Sequence, residues 1–398
     1  MSDFNFDRLV DRHIPYGYSI KHDPASRKKP ADVLPMWVAD MDFPAPPRVL
    51  DVLADRVKHG IFGYSEPDAP YFAAVQEWFE KRFGWQVNRE WLSITPGVVT
   101  AIYIAIRALT KPGGGVLIQQ PVYYPFESAI KDTKRKLLVS ELVYDKGNDD
   151  GGGYYRVDFA DFEEKAKQAE MFILCNPHNP VGRVWTRDEL LRMGEICLRH
   201  GVTVVSDEIH QDFIYKGHKH LVFSNLDKRF ADITLTCTAP SKTFNLAGLQ
   251  LANIFISNKA IRNAFAGEYA SVGLSQPPLM GLAACQAAYE SGAEWLDQLI
   301  NYLDGNMSLI GDFLRTRIPK IKLIKPEGTY LAWLDCAGIG LSVCGLNDFI
   351  TNKAKLWLNN GPTFGLGGEG FQRMNAACPR STVKEALERL ESAVVGLG

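Results

Sequence analysis

The chain has 398 residues, of which 44 are basic and 46 acidic, giving a net charge of −2 with histidine neutral. That balance gives no electrostatic case for nucleic acid or an anionic membrane as partner. The length and an ordinary apolar fraction of 46% fit a large two-part globular protein with ample core.

Pro44 to Pro47 interrupt the chain before a helix expected over Arg48 to His59 and stopped by Gly60. Asp68 reads as the N-cap of a helix running to Phe83, with Gly84 just past its end. Gly97 to Leu109 is apolar along most of its length, which predicts a buried helix. Val116 to Gln119 reads as a strand after the turn Lys111 to Gly115, and Lys131 to Lys136 as solvated surface, like Arg27-Lys28-Lys29. Met171 to Leu174 and Val202 to Val205 are apolar without alternation, the pattern of strands covered on both faces. Between them Thr186 and Glu189 form a capping box that opens a helix to about His200. A strand-helix-strand unit of this kind predicts an α/β fold with a mainly parallel sheet and right-handed crossovers. Further strands are expected at Ile233 to Cys237 and Asn253 to Ser257. His218-Lys219-His220 carries two histidines without nearby carboxylates or cysteines and reads as a solvated loop, not a metal site. From Pro278 the pattern shifts to long helices, a strand-rich segment from Ile321 to Leu334, and a last helix from about Ser381. The expected division is an N-terminal segment 1–47 packed with a small domain, a large domain 48–285, and a smaller α+β domain 286–398.

The seven cysteines are scattered and form no CxxC, which predicts free thiols in a reducing compartment, without a disulfide framework or zinc site. The acidic N-terminus has no basic-then-apolar leader pattern, and no apolar run is long enough to span a bilayer. A cytoplasmic location is the expectation.

Three polar residues each follow an apolar strand. Asn179 lies in Asn176-Pro177-His178-Asn179-Pro180, Asp207 in Ser206-Asp207-Glu208-Ile209-His210, and Lys242 in Pro240-Ser241-Lys242-Thr243. Ligands of open α/β sheets bind beyond the carboxyl ends of the strands, so the three can converge. Alone, each has an ordinary explanation: a turn residue, a cap, a surface charge. Together they suit pyridoxal phosphate. Lys242 would carry the cofactor as a Schiff base and later shuttle the Cα proton. Asp207 would support the protonated ring nitrogen, and Asn179 would donate to the ring oxygen. Gly97 and the first-turn amides of Val98 and Val99 suit the phosphate. Tyr123 can stack on the ring. Arg373, in the alternating stretch Phe371-Gln372-Arg373-Met374-Asn375, can hold a substrate carboxylate. Tyr123, Tyr124 and Tyr330 are candidate pocket walls.

With these residues in place the sequence resembles the fold-type I pyridoxal phosphate enzymes, the aspartate aminotransferase superfamily, over nearly its whole length. Within it the likeness is strongest to the cystathionine β-lyase and cysteine-S-conjugate β-lyase branch, the MalY/PatB-type C–S lyases. Leu34 to Phe43 (LPMWVADMDF), Cys175 to Trp185 (CNPHNPVGRVW), Ser206 to Phe213 (SDEIHQDF), Ser241 to Gln250 (SKTFNLAGLQ) and Arg373 to Arg380 (RMNAACPR) carry it. The resemblance implies a seven-stranded sheet between helices, and a homodimer with its active site at the subunit interface. It implies that Tyr64 reaches the neighbour's cofactor phosphate, that Ser241 and His210 lie at the cofactor, and that Trp37 and Val38 close over the substrate. Three positions depart from the aminotransferase pattern: Ala239, Gln250 and His210 stand where a serine, an arginine and a tyrosine are usual. These departures favour the lyase branch. The implied reaction is β-elimination from an S-substituted L-cysteine, giving a thiol, pyruvate and ammonia. The competing readings are an aminotransferase on the same scaffold and a lyase with an added regulatory binding role.

Overall fold

Apolar strands covered on both faces build the centre of the molecule. The computed structural model describes residues 4–147 and 153–397. Its main sheet contains β1 (Leu92–Thr95), β2 (Gly115–Gln120), β3 (Lys136–Glu141), β4 (Ala169–Cys175), β5 (Thr203–Asp207), β6 (Thr234–Thr238) and β7 (Ala252–Phe255). Their spatial order is β1-β7-β6-β5-β4-β2-β3. β7 runs antiparallel to β1 and β6, and the remaining pairings are parallel.

The helices start and stop where their local chemistry dictates. In α1 (Pro47–His59) and α2 (Ala69–Phe83) the chain leaves through Gly60 and Gly84, at φ 77° and 62°, a left-handed conformation that glycine adopts at little cost. Asp68 caps α2 by accepting from the Tyr71 amide at 3.0 Å. α3 (Val98–Leu109) buries Ala101, Ile102 and Ala105 against Ile118, Ile173 and Val205 on one face of the sheet. On the other face α4 (Arg187–His200), opened by the reciprocal Thr186–Glu189 box, packs Leu190 and Met193 with Phe172 and Val204.

Beyond α5 (Leu279–Ser291) and the long α6 (Ala293–Arg317), an antiparallel sheet runs in the order Lys322–Leu323, Leu331–Asp335, Phe371–Asn375, Asn359–Asn360. α6 packs Met307 and Leu314 with Val383 and Leu387 of α7 (Arg380–Val395). The N-terminal stretch joins this part. Leu34-Pro35 pairs in parallel with Leu356-Trp357, and Phe6 meets Trp295 edge-on with centroids 5.7 Å apart.

One sequence expectation is refined and one corrected. Lys136 is exposed, as its cluster suggested, but it is also the first residue of edge strand β3, paired along β2. The strand's exposed ends are Lys136 and Glu141, and charges of this kind protect an edge from further pairing while masking it in the sequence. His220, by contrast, is not solvated. It is 4% exposed, and its Nε2 lies 2.7 Å from Glu208 Oε2. Glu208 also accepts from Ser206 Oγ at 2.7 Å and the Phe223 amide at 3.0 Å. Truncating His220 leaves part of a buried carboxylate unpaired. His220→Ala is expected to lower unfolding free energy by about 2–4 kcal/mol in denaturant titration; a loss below ~0.5 kcal/mol would show the pair to be dispensable.

Candidate active site

Strands β4, β5 and β6 are neighbours and end at Cys175, Asp207 and Thr238. The chain therefore delivers Asn179, Asp207 and Lys242 to one edge of the sheet. They line a cavity of about 440 Å³, within the roughly 300–1,000 Å³ of small-molecule sites. Every site residue expected from the sequence lines this cavity except Tyr64 and Tyr330. Tyr64 stands apart and is 94% exposed.

Lys242 sits in a single helical turn, Pro240–Thr243, opened by a proline and closed beneath by Thr243 Oγ1 donating to buried Asp212 at 2.7 Å. Burial lowers the Lys242 amine to about 8, against the raising effect of Asp40 and Asp207; Arg373 lowers it further. Burial raises Asp207 to about 7, opposed by the Ile209 amide and the Lys242 charge. His210 is buried and held well below its ordinary value, with Lys242 and Arg373 adding to the effect of burial; its imidazole is neutral. Burial also raises the Tyr123 hydroxyl, so it stays protonated near neutral pH.

Arg373 is 3% exposed and sits in the middle of its strand, opposite Trp333 on one side and Asn359 on the other. Its guanidinium donates to Asn179 Oδ1 at 2.9 Å, the Trp37 carbonyl at 3.0 Å and Asn359 Oδ1 at 2.5 Å. Burial lowers it to about 10, which leaves it charged at neutral pH.

The segment 37–43 forms a strap over the cavity, held almost residue by residue. Asn375 Nδ2 donates to the carbonyls of Val38 and Asp40, and Asn245 Nδ2 to those of Met41 and Phe43. The Ala39 carbonyl accepts from Lys242 Nζ at 2.6 Å and from the Tyr330 hydroxyl at 2.9 Å. Tyr330 is thus not a cavity wall, as its sequence context suggested, but a fully buried support behind the strap. Tyr123 and Tyr124 do line the cavity. On the opposite side α3 begins after Gly97, at φ 133°, and its first amides, Val98 and Val99, have no intrahelical acceptor. Gln250 lines the cavity, but its amide donates to the Ala247 carbonyl at 2.9 Å.

Sequence reasoning missed the Ala39 carbonyl, Asn359, Ile20 and Arg27, all at or beside the cavity. A backbone carbonyl carries no sequence signal. Arg27 was concealed in a basic run that reads as surface.

The class I and II aminotransferase family matches residues 31–390, and the chain belongs to that family. It is 46% identical to cystathionine β-lyase PatB of Bacillus subtilis over 91% of this chain and 93% of that one. It is 35% identical to the protein MalY of Escherichia coli over 98% and 99% of the two chains. Among solved structures, cystalysin of Treponema denticola, which contains pyridoxal 5′-phosphate, superposes with a TM-score of 0.94 at 37% identity over the full length of both chains. The fold is that of the aspartate aminotransferase-like enzymes.

Proposed function

We propose that the chain is a pyridoxal phosphate-dependent carbon–sulfur β-lyase that cleaves cystathionine or related S-substituted L-cysteines to a thiol, pyruvate and ammonia. One observation carries this reading: a half-buried lysine, a buried aspartate and a buried arginine converge on one cavity at the carboxyl edge of the sheet. The relatives named cystathionine β-lyase support the reaction class.

The residues present fit the cofactor. Asp207 pays a desolvation cost that a protonated ring nitrogen beside it would offset. The unpaired amides of Val98 and Val99, with Ser241, suit the phosphate. Lys242 is a desolvated amine of lowered proton affinity, suited to join a carbonyl carbon. Tyr123, Asn179 and His210 complete the walls around the ring. When bound, the cofactor supplies the electron sink that makes the substrate Cα–H acidic.

The chain's own groups do the rest. Arg373 pairs with the substrate α-carboxylate, its guanidinium oriented by Asn179, Asn359 and the Trp37 carbonyl. Lys242 Nζ takes the Cα proton, and the Ala39 carbonyl fixes where that nitrogen rests. Trp37 and Val38, in the strap, exclude water from the reacting atoms. Loss of the Arg373 contact should cut kcat/KM for cystathionine about tenfold to a hundredfold. An unchanged value in Arg373→Ala would remove Arg373 from the substrate site.

The same reading extends to assembly and location. Ile61, Phe62 and Tyr64 are exposed at 65%, 60% and 94%, beside exposed Leu50 and Val57 of α1. An apolar strip of this kind suits a second copy of the chain, with Tyr64 reaching the partner's cofactor phosphate in a shared site. The segments 1–47, 48–285 and 286–398 act as strap-bearing arm, cofactor domain and small domain. The cysteines are free, and those other than Cys344 are buried, which favours a reducing cytoplasm.

The test is spectroscopic. The protein with pyridoxal phosphate is expected to be yellow, and borohydride reduction should fix the cofactor on the peptide bearing Lys242. A protein that stays colourless with excess cofactor would overturn the reading.

A further inference from the structure

The cavity has a second guanidinium that the reaction above leaves unused. Arg27 ends a short turn, Ala25–Arg27, and lines the cavity from an exposed position at its mouth. Its guanidinium lies over the Trp37 ring, 5.8 Å from the centroid. That ring is fixed from behind by stacking on Trp357 at 4.6 Å, and the Trp37 carbonyl holds Arg373 at 3.0 Å. One residue therefore touches both guanidiniums, the deep one and the outer one.

Among the described residues Arg27 forms no side-chain hydrogen bond or ion pair. The acidic residue nearest in sequence, Asp23, is occupied by the Ser26 amide at 3.2 Å. The charges lining the cavity are unbalanced: Arg27, Lys242 and Arg373 face a single carboxylate, Asp207. On the proposed reading Lys242 is taken by the cofactor and Arg373 by the substrate α-carboxylate. Arg27 then remains as a cation without a counter-ion, in a cleft whose walls focus its field. Tyr124 and Ile20, 39% and 57% exposed, line the same cavity and offer apolar surface suited to methylenes and a thioether sulfur.

We propose that Arg27 is a specificity-determining residue that binds a carboxylate at the far end of the substrate's S-substituent. The preferred substrates are then thioethers bearing a distal carboxylate, as cystathionine does, over simple S-alkyl cysteines. This inference rests on the β-lyase reading, and its test is chosen so that the two fail separately.

The first readout is the ratio of kcat/KM for cystathionine to that for S-ethyl-L-cysteine, in the parent and in Arg27→Gln. An exposed ion pair of this type is worth about three- to tenfold, so the ratio should fall by that factor in the variant. The difference should shrink as salt rises, and Arg27→Lys should recover part of it. The second readout needs no turnover. The cofactor-loaded protein is titrated calorimetrically with 2-aminoadipate and with norleucine, unreactive amino acids that differ in the distal carboxylate. Arg27→Gln should weaken 2-aminoadipate about three- to tenfold more than norleucine. If both ligands weaken equally, or neither does, Arg27 has no such role. If no substrate yields pyruvate while the binding ratio still moves, the β-lyase reading falls and the carboxylate site stands.

Discussion

Replacing Lys242 by alanine should lower kcat/KM for cystathionine by at least about a thousandfold, because one side chain both joins the cofactor and moves the proton. The half-buried amine sits in a single turn, is tied to the Ala39 carbonyl at 2.6 Å and is lowered to about 8, chiefly by desolvation. Among the described residues no neighbouring base stands in. His210 is neutral but packs edge-on against Tyr330 at 5.7 Å, and Asp207 lies on the carboxyl end of β5 where the ring nitrogen is expected. The strap has other anchors in Asn375, Asn245 and Tyr330, so the variant should keep its fold by circular dichroism. Residual activity within tenfold of the parent would show that another group moves the proton.

Asp207→Asn should have the next largest effect, with opposite consequences for activity and stability. An amide cannot balance a ring cation, and losing one preorganised electrostatic partner typically costs about 10²–10³ in rate. In the cofactor-free protein the same carboxylate is a burden. Its folded value is raised from 3.8 to about 7, so folding favours its protonated form. The stabilising contribution is fully present below about pH 4 and is lost as pH rises through about 7. At pH 8.5 the folded chain must hold an ion it disfavours, and asparagine removes that cost. Cofactor-free Asp207→Asn should therefore be more stable than the parent by about 1–3 kcal/mol at pH 8.5, with the gap narrowing as pH falls below about 7 and closing near pH 4. Lys242 titrates in the opposite sense, which the parent-minus-variant difference largely cancels. A variant less stable than the parent at pH 8.5 would contradict the assigned environment.

What was legible in the sequence was local. The Thr186–Glu189 box, the Asp68 cap and the glycine stops are short-range chemistry, and all three form as expected. Asn179, Asp207 and Lys242 could be found because each follows an uninterrupted apolar strand, and adjacent parallel strands place their ends side by side. What was hidden depends on distant partners. Lys242 meets Ala39 across 203 positions. Arg183, 2% exposed, is matched by Glu327 across 144. His220 looked like loop because its lysine neighbour is exposed while its own ring turns inward to Glu208. Tyr330 looked like a pocket wall because the strap that covers it is almost 300 residues away.

The central claim is elimination at the sulfur-bearing carbon rather than exchange of the amino group. Its most direct measurement is product analysis of the cofactor-loaded protein with cystathionine and no 2-oxo acid. The structure predicts homocysteine, pyruvate and ammonia in equal amounts over many turnovers. Turnover that begins only when 2-oxoglutarate is added, with no thiol released, would contradict it.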